Sequence, residues 1–206
     1  MTSILSWYLN YDMAISYLAF SRDNLLGGKV WTLVTALFLH ADLEHLLGNM
    51  VFLFVFGNTL EKEFGATKTL TVFFFGGIVS FFLGIFFYAP STPLIGASAA
   101  IFTLTAIAML VKPLQFSFLF FMPLGLVAVI YFIYNVMAVH LGFGGNVAYV
   151  SHVIGFLLGV PFGIAWSEKW AKNLIITVAM FLLYLAIVTF LLPSILSLIG
   201  GYLLFS

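Results

Sequence analysis

Cysteine is absent from all 206 positions, so the chain has no disulfide framework and no thiol nucleophile. Charge is nearly as scarce: acids and bases make up 7% of the residues, seven of each sign, and the formal net charge is zero. Without a basic excess or a basic patch, nucleic acid is excluded as a partner. No Gly-rich phosphate loop opens a helical pattern, and the four histidines and seven acids are too dispersed for HExxH-type spacing. No metal or other cofactor is therefore implied. Fixed-period repeats and low-complexity tracts are missing too, which leaves a single integral membrane domain over residues 1–206.

What fills the chain instead is apolar surface. Hydrophobic residues make up 64%, and the mean hydropathy of +1.20 lies far outside the balance of a soluble domain. Apolar runs cover roughly residues 45–60, 69–89, 94–111, 114–139, 147–166 and 173–192. Each is close to the ~20 residues that cross a hydrocarbon core as helix. They are apolar all round, without the alternation of a barrel strand. The expected fold is therefore all-α, a polytopic bundle of six transmembrane helices. Residues 1–20 are also apolar, but Asn10 and Asp12 would sit mid-membrane, at a cost of ~2.5 kcal/mol or more for the acid. A short or incomplete N-terminal helix is expected there, and not a cleaved signal peptide, because no positive region precedes it.

Lysine fixes the expected orientation. Alternating spans place Lys62, Lys68, Lys112, Lys169 and Lys172 on one side and only Arg22 and Lys29 on the other, which puts the lysine-rich side in the cytoplasm. The connectors 21–43, 90–93 and 140–146 then face outward.

On this topology the intramembrane polar residues gather at one level. Ser98, in "LIGASAAIF", lies four or five residues into the third span; His152, in "YVSHVIGFLLG", lies about five into the fifth; His45 and Asn49, in "EHLLGNM", open the first. All three spans enter from outside, so hydroxyl, imidazole and amide reach ~5 to 9 Å below the outer boundary at ~1.5 Å per residue. Taken alone, each has an ordinary reading: serine packs helices closely, a membrane histidine can carry protons, and an i, i+4 pair can bond a loop. Together they match acyl-transfer chemistry. Serine needs a neighbouring base, His152 can take and return its proton, and Asn49, His45 and the Ser98 backbone N–H can face an oxyanion. Ser98 in the first turn of its helix also has free N–H groups nearby. No acid is well placed beside His152, since Asp42 and Glu44 lie in the connector before His45 and Glu168 is on the cytoplasmic side, so a Ser–His dyad is the economical reading. His140 is the alternative base.

These residues resemble the rhomboid intramembrane serine proteases. "HADLEHLLGN" carries His40, His45 and Asn49 at the spacing of that family's HxxxN segment and its preceding histidine; "IGASA" is similar to GxSG through Gly96 and Ser98; "SHVIGFLLG" is similar to AHxxGxxxG through His152, Gly155 and Gly159. Trp31 and Glu61 fall where the family has a loop tryptophan and a helix-end glutamate. The resemblance covers about residues 17–166, with 173–192 an additional C-terminal span. It departs at Ala99 for glycine, Thr32 for arginine, Ser151 for alanine, and Phe102 for a tyrosine that stacks on the base. The resemblance makes 17–43 the first external loop, leaving about sixteen residues for a first helix that is either shortened or begins inside a longer one.

The resemblance implies cleavage of single transmembrane helices of other proteins near their outer end, in a cell membrane, with the site open to the extracytoplasmic side. It also implies that Gly155, Gly159 and Gly163 meet the serine helix, that the span 114–139 and the loop "LGFGGNVA" act as gate and cap, and that a small residue precedes the scissile bond. Phe116, Phe118, Phe120 and Phe121 are expected to start the fourth span as lipid-facing or interfacial anchors. Two other functions stay open: a non-cleaving rhomboid-like binder of membrane proteins, and a small transporter, which would need polar groups through the full membrane thickness.

Overall fold

The computed structural model describes residues 11–143 and 147–194. A short helix α1 (Tyr11–Leu18) leads into a loop with small helices α2 (Arg22–Leu26) and α3 (Thr32–Thr35). Six longer helices follow: α4 (Leu43–Phe64), α5 (Ala66–Gly84), α6 (Ser98–Val111), α7 (Leu124–His140), α8 (Tyr149–Trp166) and α9 (Trp170–Ser194). Four of them, α4, α5, α8 and α9, are long and apolar enough to cross a membrane, while α6 and α7 are shorter apolar helices. The start of the expected N-terminal helix, with Asn10, lies outside the described residues, as do Gly144, Gly145 and Asn146 of the expected cap.

Hydropathy misplaced several boundaries. The third helix begins at Ser98, not near 94, because Leu94 pairs with Phe20 in an antiparallel bridge and the chain turns at Gly96. The second ends at Gly84, before a turn through Tyr88. The fourth begins at Leu124, not 114. Residues 116–123 form a small hairpin of β1 (Phe116–Ser117) and β2 (Met122–Pro123), so the four phenylalanines do not start the helix. Proline lacks the N–H a helix interior needs but suits its entry, and Pro123 stands at the N-cap of α7. Phe120 turns inward, its ring 4.7 Å from that of Phe52, whereas Phe118 and Phe121 are exposed. An apolar run records surface to bury and is blind to such a turn.

The centre of the bundle is α6, buried from Ala99 to Leu110. A helix apolar on every side is suited to that position. Glycines on two neighbours let it be enclosed. A Cβ at Gly76 of α5 would lie 2.0 Å from Thr103 Oγ1, and one at Gly155 of α8 would lie 2.1 Å from the Ala99 carbonyl oxygen. At Gly159 it would meet the Thr103 carbonyl oxygen at 2.3 Å. Thr103 stitches the contact, its hydroxyl donating to the Gly155 carbonyl at 2.8 Å. The small residues of α8 thus bring two backbones into direct contact. At the other end, Asn173 of α9 donates to the Leu110 carbonyl at 2.7 Å, satisfying an orphan acceptor at the end of α6.

The lysines gather at that same end. Lys112 pairs with Glu63 at 2.9 Å, and Lys68 lies over the rings of Phe64 and Trp166. Lys29, Arg22 and the loop 19–42 sit at the opposite end. There the Arg22 guanidinium donates to the Ile85 carbonyl and Trp31 Nε1–H to the Tyr17 carbonyl at 2.9 Å. Thr32, in place of the family's arginine, is fully buried and bonds the Lys29 carbonyl, while Trp31 beside it is half exposed.

Candidate active site

The site forms where the loop before α6 is pressed against α4. Gly96 has φ of 104°, in the left-handed region that favours glycine, and its N–H donates to the Ala36 carbonyl at 2.9 Å. A Cβ there would fall 2.8 Å from His45 Nε2 and 3.6 Å from Asn49 Nδ2. Only glycine both makes this turn and leaves the imidazole room. The reversal aims the first turn of α6 at the first two turns of α4, so Ser98 opens its helix beside His45 and Asn49.

Ser98 Oγ lies 2.6 Å from His152 Nε2, although 54 positions separate them. The Gly155–Ala99 contact, one turn below His152, sets that spacing. Phe102, one turn after Ser98, holds the imidazole on its flat side: the rings are 4.8 Å apart and 9° from parallel. Tyr149 stands nearly perpendicular to the same ring, with centroids 6.4 Å apart. A feature not expected from the sequence completes the arrangement. His152 Nδ1 lies 2.7 Å from Oδ1 of Asn135, a residue of α7 that is 3% exposed. Asn135 Nδ2 donates in turn to the Tyr131 carbonyl at 2.8 Å. The expected pair is therefore the end of a longer chain of hydrogen bonds.

On α4, Asp42 caps the helix by accepting from the His45 N–H at 2.7 Å. The Ala41 N–H donates to His45 Nδ1 at 3.4 Å, so Nδ1 is unprotonated and Nε2 carries the hydrogen of the neutral ring. That Nε2–H points toward Gly96. Asn49 is 6% exposed, and its Nδ2 is a buried donor with no hydrogen-bond acceptor among the described residues. An unmet buried amide is costly to maintain and calls for a functional explanation. His40 packs edge-on against His45, with ring centroids 5.0 Å apart. Burial, aided by His45 and opposed by Asp42, pulls the His40 pKa down to about 4. It is neutral at physiological pH and supports the His45 ring without adding charge.

Asn49, Ser98 and His152 line one cavity of about 560 Å³, together with Phe102, Tyr131 and Tyr149. The arrangement offers a hydroxyl held by an imidazole, with amide and imidazole N–H donors across a space sized for a few residues of extended chain. Of the other expected residues, Gly155 and Gly159 lie on the α6–α8 contact, Glu61 is exposed in the last turn of α4, and His140 is exposed at the end of α7. Ser151 is buried, and its N–H donates to the Tyr88 hydroxyl at 3.3 Å. Among the described residues no group of three or more His, Cys, Asp or Glu side chains could hold a metal ion. Asn135 carried one signal that could have revealed it, an amide stranded inside the apolar run "YFIYNVMAV".

Comparison with known proteins places the chain in a family. The model of the Rhomboid domain matches residues 27–169. Rhomboid-like protease 3 of Toxoplasma gondii is 31% identical over 64% of this chain and 50% of its own length. RHOMBOID-like protein 7 of Arabidopsis thaliana is 29% identical over 70% of the chain and 47% of its own. Rhomboid protease GluP of Bacillus subtilis is 25% identical over 81% of the chain and 32% of its own. The chain spans half or less of the length of these relatives. With the family model covering the loop, the small-residue helices and the Ser98–His152 contact, the chain is a multi-pass membrane protein that belongs to the rhomboid family.

Proposed function

We infer that the protein is an intramembrane serine endopeptidase, and the 2.6 Å contact between Ser98 Oγ and His152 Nε2 is the observation that carries this reading. Ser98 attacks the carbonyl carbon of a peptide bond while His152 takes its proton, and the carbonyl electron pair moves to oxygen. His45 Nε2–H, Asn49 Nδ2–H and the Ser98 backbone N–H face that oxygen. The tetrahedral species collapses, the amine leaves with the proton from His152, and a water then releases the acyl group by the same steps in reverse roles. The unpartnered amide of Asn49 supports this assignment, because its acceptor would exist only once the substrate is bound.

The substrates are transmembrane segments of other proteins, bound from the lipid bilayer and cut near their outer end. A formed helix hides its carbonyls in hydrogen bonds, so the segment must present an unwound strand, and a small residue before the scissile bond is the family expectation. All six long helices are read as spans of one membrane domain, 173–192 being an addition to the core 17–166. The lysine-rich end of the bundle faces the cytoplasm and the site opens to the extracytoplasmic side. Neither metal nor cofactor takes part.

Reconstituted in liposomes with a single-span substrate, the protein is expected to release two fragments whose termini, read by mass spectrometry, fall within the outer turns of the span. A fluorophosphonate should label Ser98 in the same preparation. Intact substrate together with an unlabelled serine would overturn the protease reading in favour of a binding protein. Within it, Asn49→Ala should lower kcat about 10²-fold with KM little changed, as expected for a donor that acts on the transition state. An unaltered kcat would remove Asn49 from that role.

A further inference from the structure

We propose that Asn135 is the positioning residue of a Ser98–His152–Asn135 triad and sets which nitrogen of His152 carries the proton. The inference rests on the protease reading, and it follows from the polarity of the hydrogen bonds. A backbone carbonyl can only accept, so the Tyr131 carbonyl fixes the nitrogen end of the Asn135 amide at Nδ2, 2.8 Å away. The oxygen end, Oδ1, then faces His152 Nδ1 at 2.7 Å. An amide oxygen also only accepts, so Nδ1 must be the protonated nitrogen. Nε2 is left with a lone pair, and it is this atom that lies 2.6 Å from Ser98 Oγ. One carbonyl in α7 thereby determines, through three hydrogen bonds, that the imidazole meets the serine as a base.

Two further features suit Asn135 to this task. Phe102 restrains the plane of the imidazole, yet a stacked ring still permits rotation within that plane. The Asn135 bond removes this freedom, so the two contacts together define the ring. An amide also supplies the acceptor without placing a carboxylate inside the apolar helix α7, where an isolated acid is costly. Neutral amides orient the catalytic histidine in cysteine proteases of unrelated fold. Asp42, three residues before His45, is occupied in capping its own helix. Because Asn135 sits on α7, apart from the helices that carry the serine and the base, the state of the imidazole depends on how α7 seats against α8.

The test compares wild type with Asn135→Leu and Asn135→Asp in detergent micelles, using the cleavage assay, thermal unfolding and 15N spectra of the histidine rings, with His152 assigned by difference against His152→Ala. In wild type, Nδ1 should have the shift of a protonated ring nitrogen and Nε2 that of an unprotonated one. Asn135→Leu is expected to mix the two tautomers and to lower kcat about 10²-fold with KM within about twofold, at an unchanged unfolding temperature. Asn135→Asp, which retains an oxygen acceptor, should restore the tautomer and regain at least about tenfold of the lost rate. A wild-type His152 protonated on Nε2, or a tautomer ratio that ignores Asn135→Leu, would overturn the proposal. If Asn135→Leu does not fold, Asn135→Ala takes its place. The spectra require no turnover, so they decide the role of Asn135 even where the cleavage assay rejects the protease reading.

Discussion

Ser98→Ala is expected to abolish cleavage, with kcat falling by about 10⁴-fold or more and fluorophosphonate labelling lost entirely. The hydroxyl is only partly buried and its one bond among the described residues is to His152, so the substitution removes a methyl-sized polar group from the edge of a cavity. Helicity and unfolding temperature should therefore match wild type, and the loss would be chemical. His152→Ala should cost about as much, because the base serves only through the serine. The double variant should be no worse than either single one, as for groups that act as a unit. Cleavage that persists in Ser98→Ala would reject this nucleophile. Full turnover by His152→Ala would move the base elsewhere, with His140 the next residue to test.

The second large effect lies away from the cavity. Gly155→Ala adds one methyl group, yet that carbon would lie 2.1 Å from the Ala99 carbonyl oxygen, which belongs to the backbone and cannot rotate away. Ordinary contact needs more than 3 Å, so α8 must withdraw from α6 by on the order of 1 Å. His152 stands one turn above on the same helix, and a displacement of that size at the reacting atoms can cost about 10²-fold in rate. Overpacking should also destabilise the bundle by about 1–3 kcal/mol. Gly163→Ala provides the control on the same face. Its added carbon would meet Leu110 Cδ1 at 2.8 Å, a side-chain end that can shift, and Leu110 Cβ at 3.0 Å, which needs to give by only a few tenths of an ångström, so activity should fall only a few-fold. Equal activity in the two variants would mean that the α6–α8 backbone contact does not set the geometry of the site.

Parts of this arrangement were legible in the sequence because their physics is local or topological. Hydropathy fixes which stretches avoid water, and alternation of spans then carries Ser98, His152, His45 and Asn49 to one end of the bundle. The four-residue spacing of Gly155, Gly159 and Gly163 announces a face for close helix contact, and the resemblance to the rhomboid family implies a stacking ring at Phe102. The hairpin at 116–123 was hidden, since its phenylalanines are as apolar as any helix.

Asn135 was hidden for a different reason. Its partner lies 17 residues away on another helix, and an amide in an apolar run looks the same whether it bonds only its own backbone or, as here, an imidazole as well. Composition and order along the chain determined that this protein is a helical membrane bundle with a serine and a histidine at one depth. Only the tertiary structure decided that they touch, that α6 begins at the serine itself, and that an amide on α7 lies in hydrogen-bond contact with the imidazole. Hydropathy depends on single residues and their period, whereas a hydrogen bond between helices depends on crossing angle, register and rotation. Those are fixed by packing the whole bundle at once.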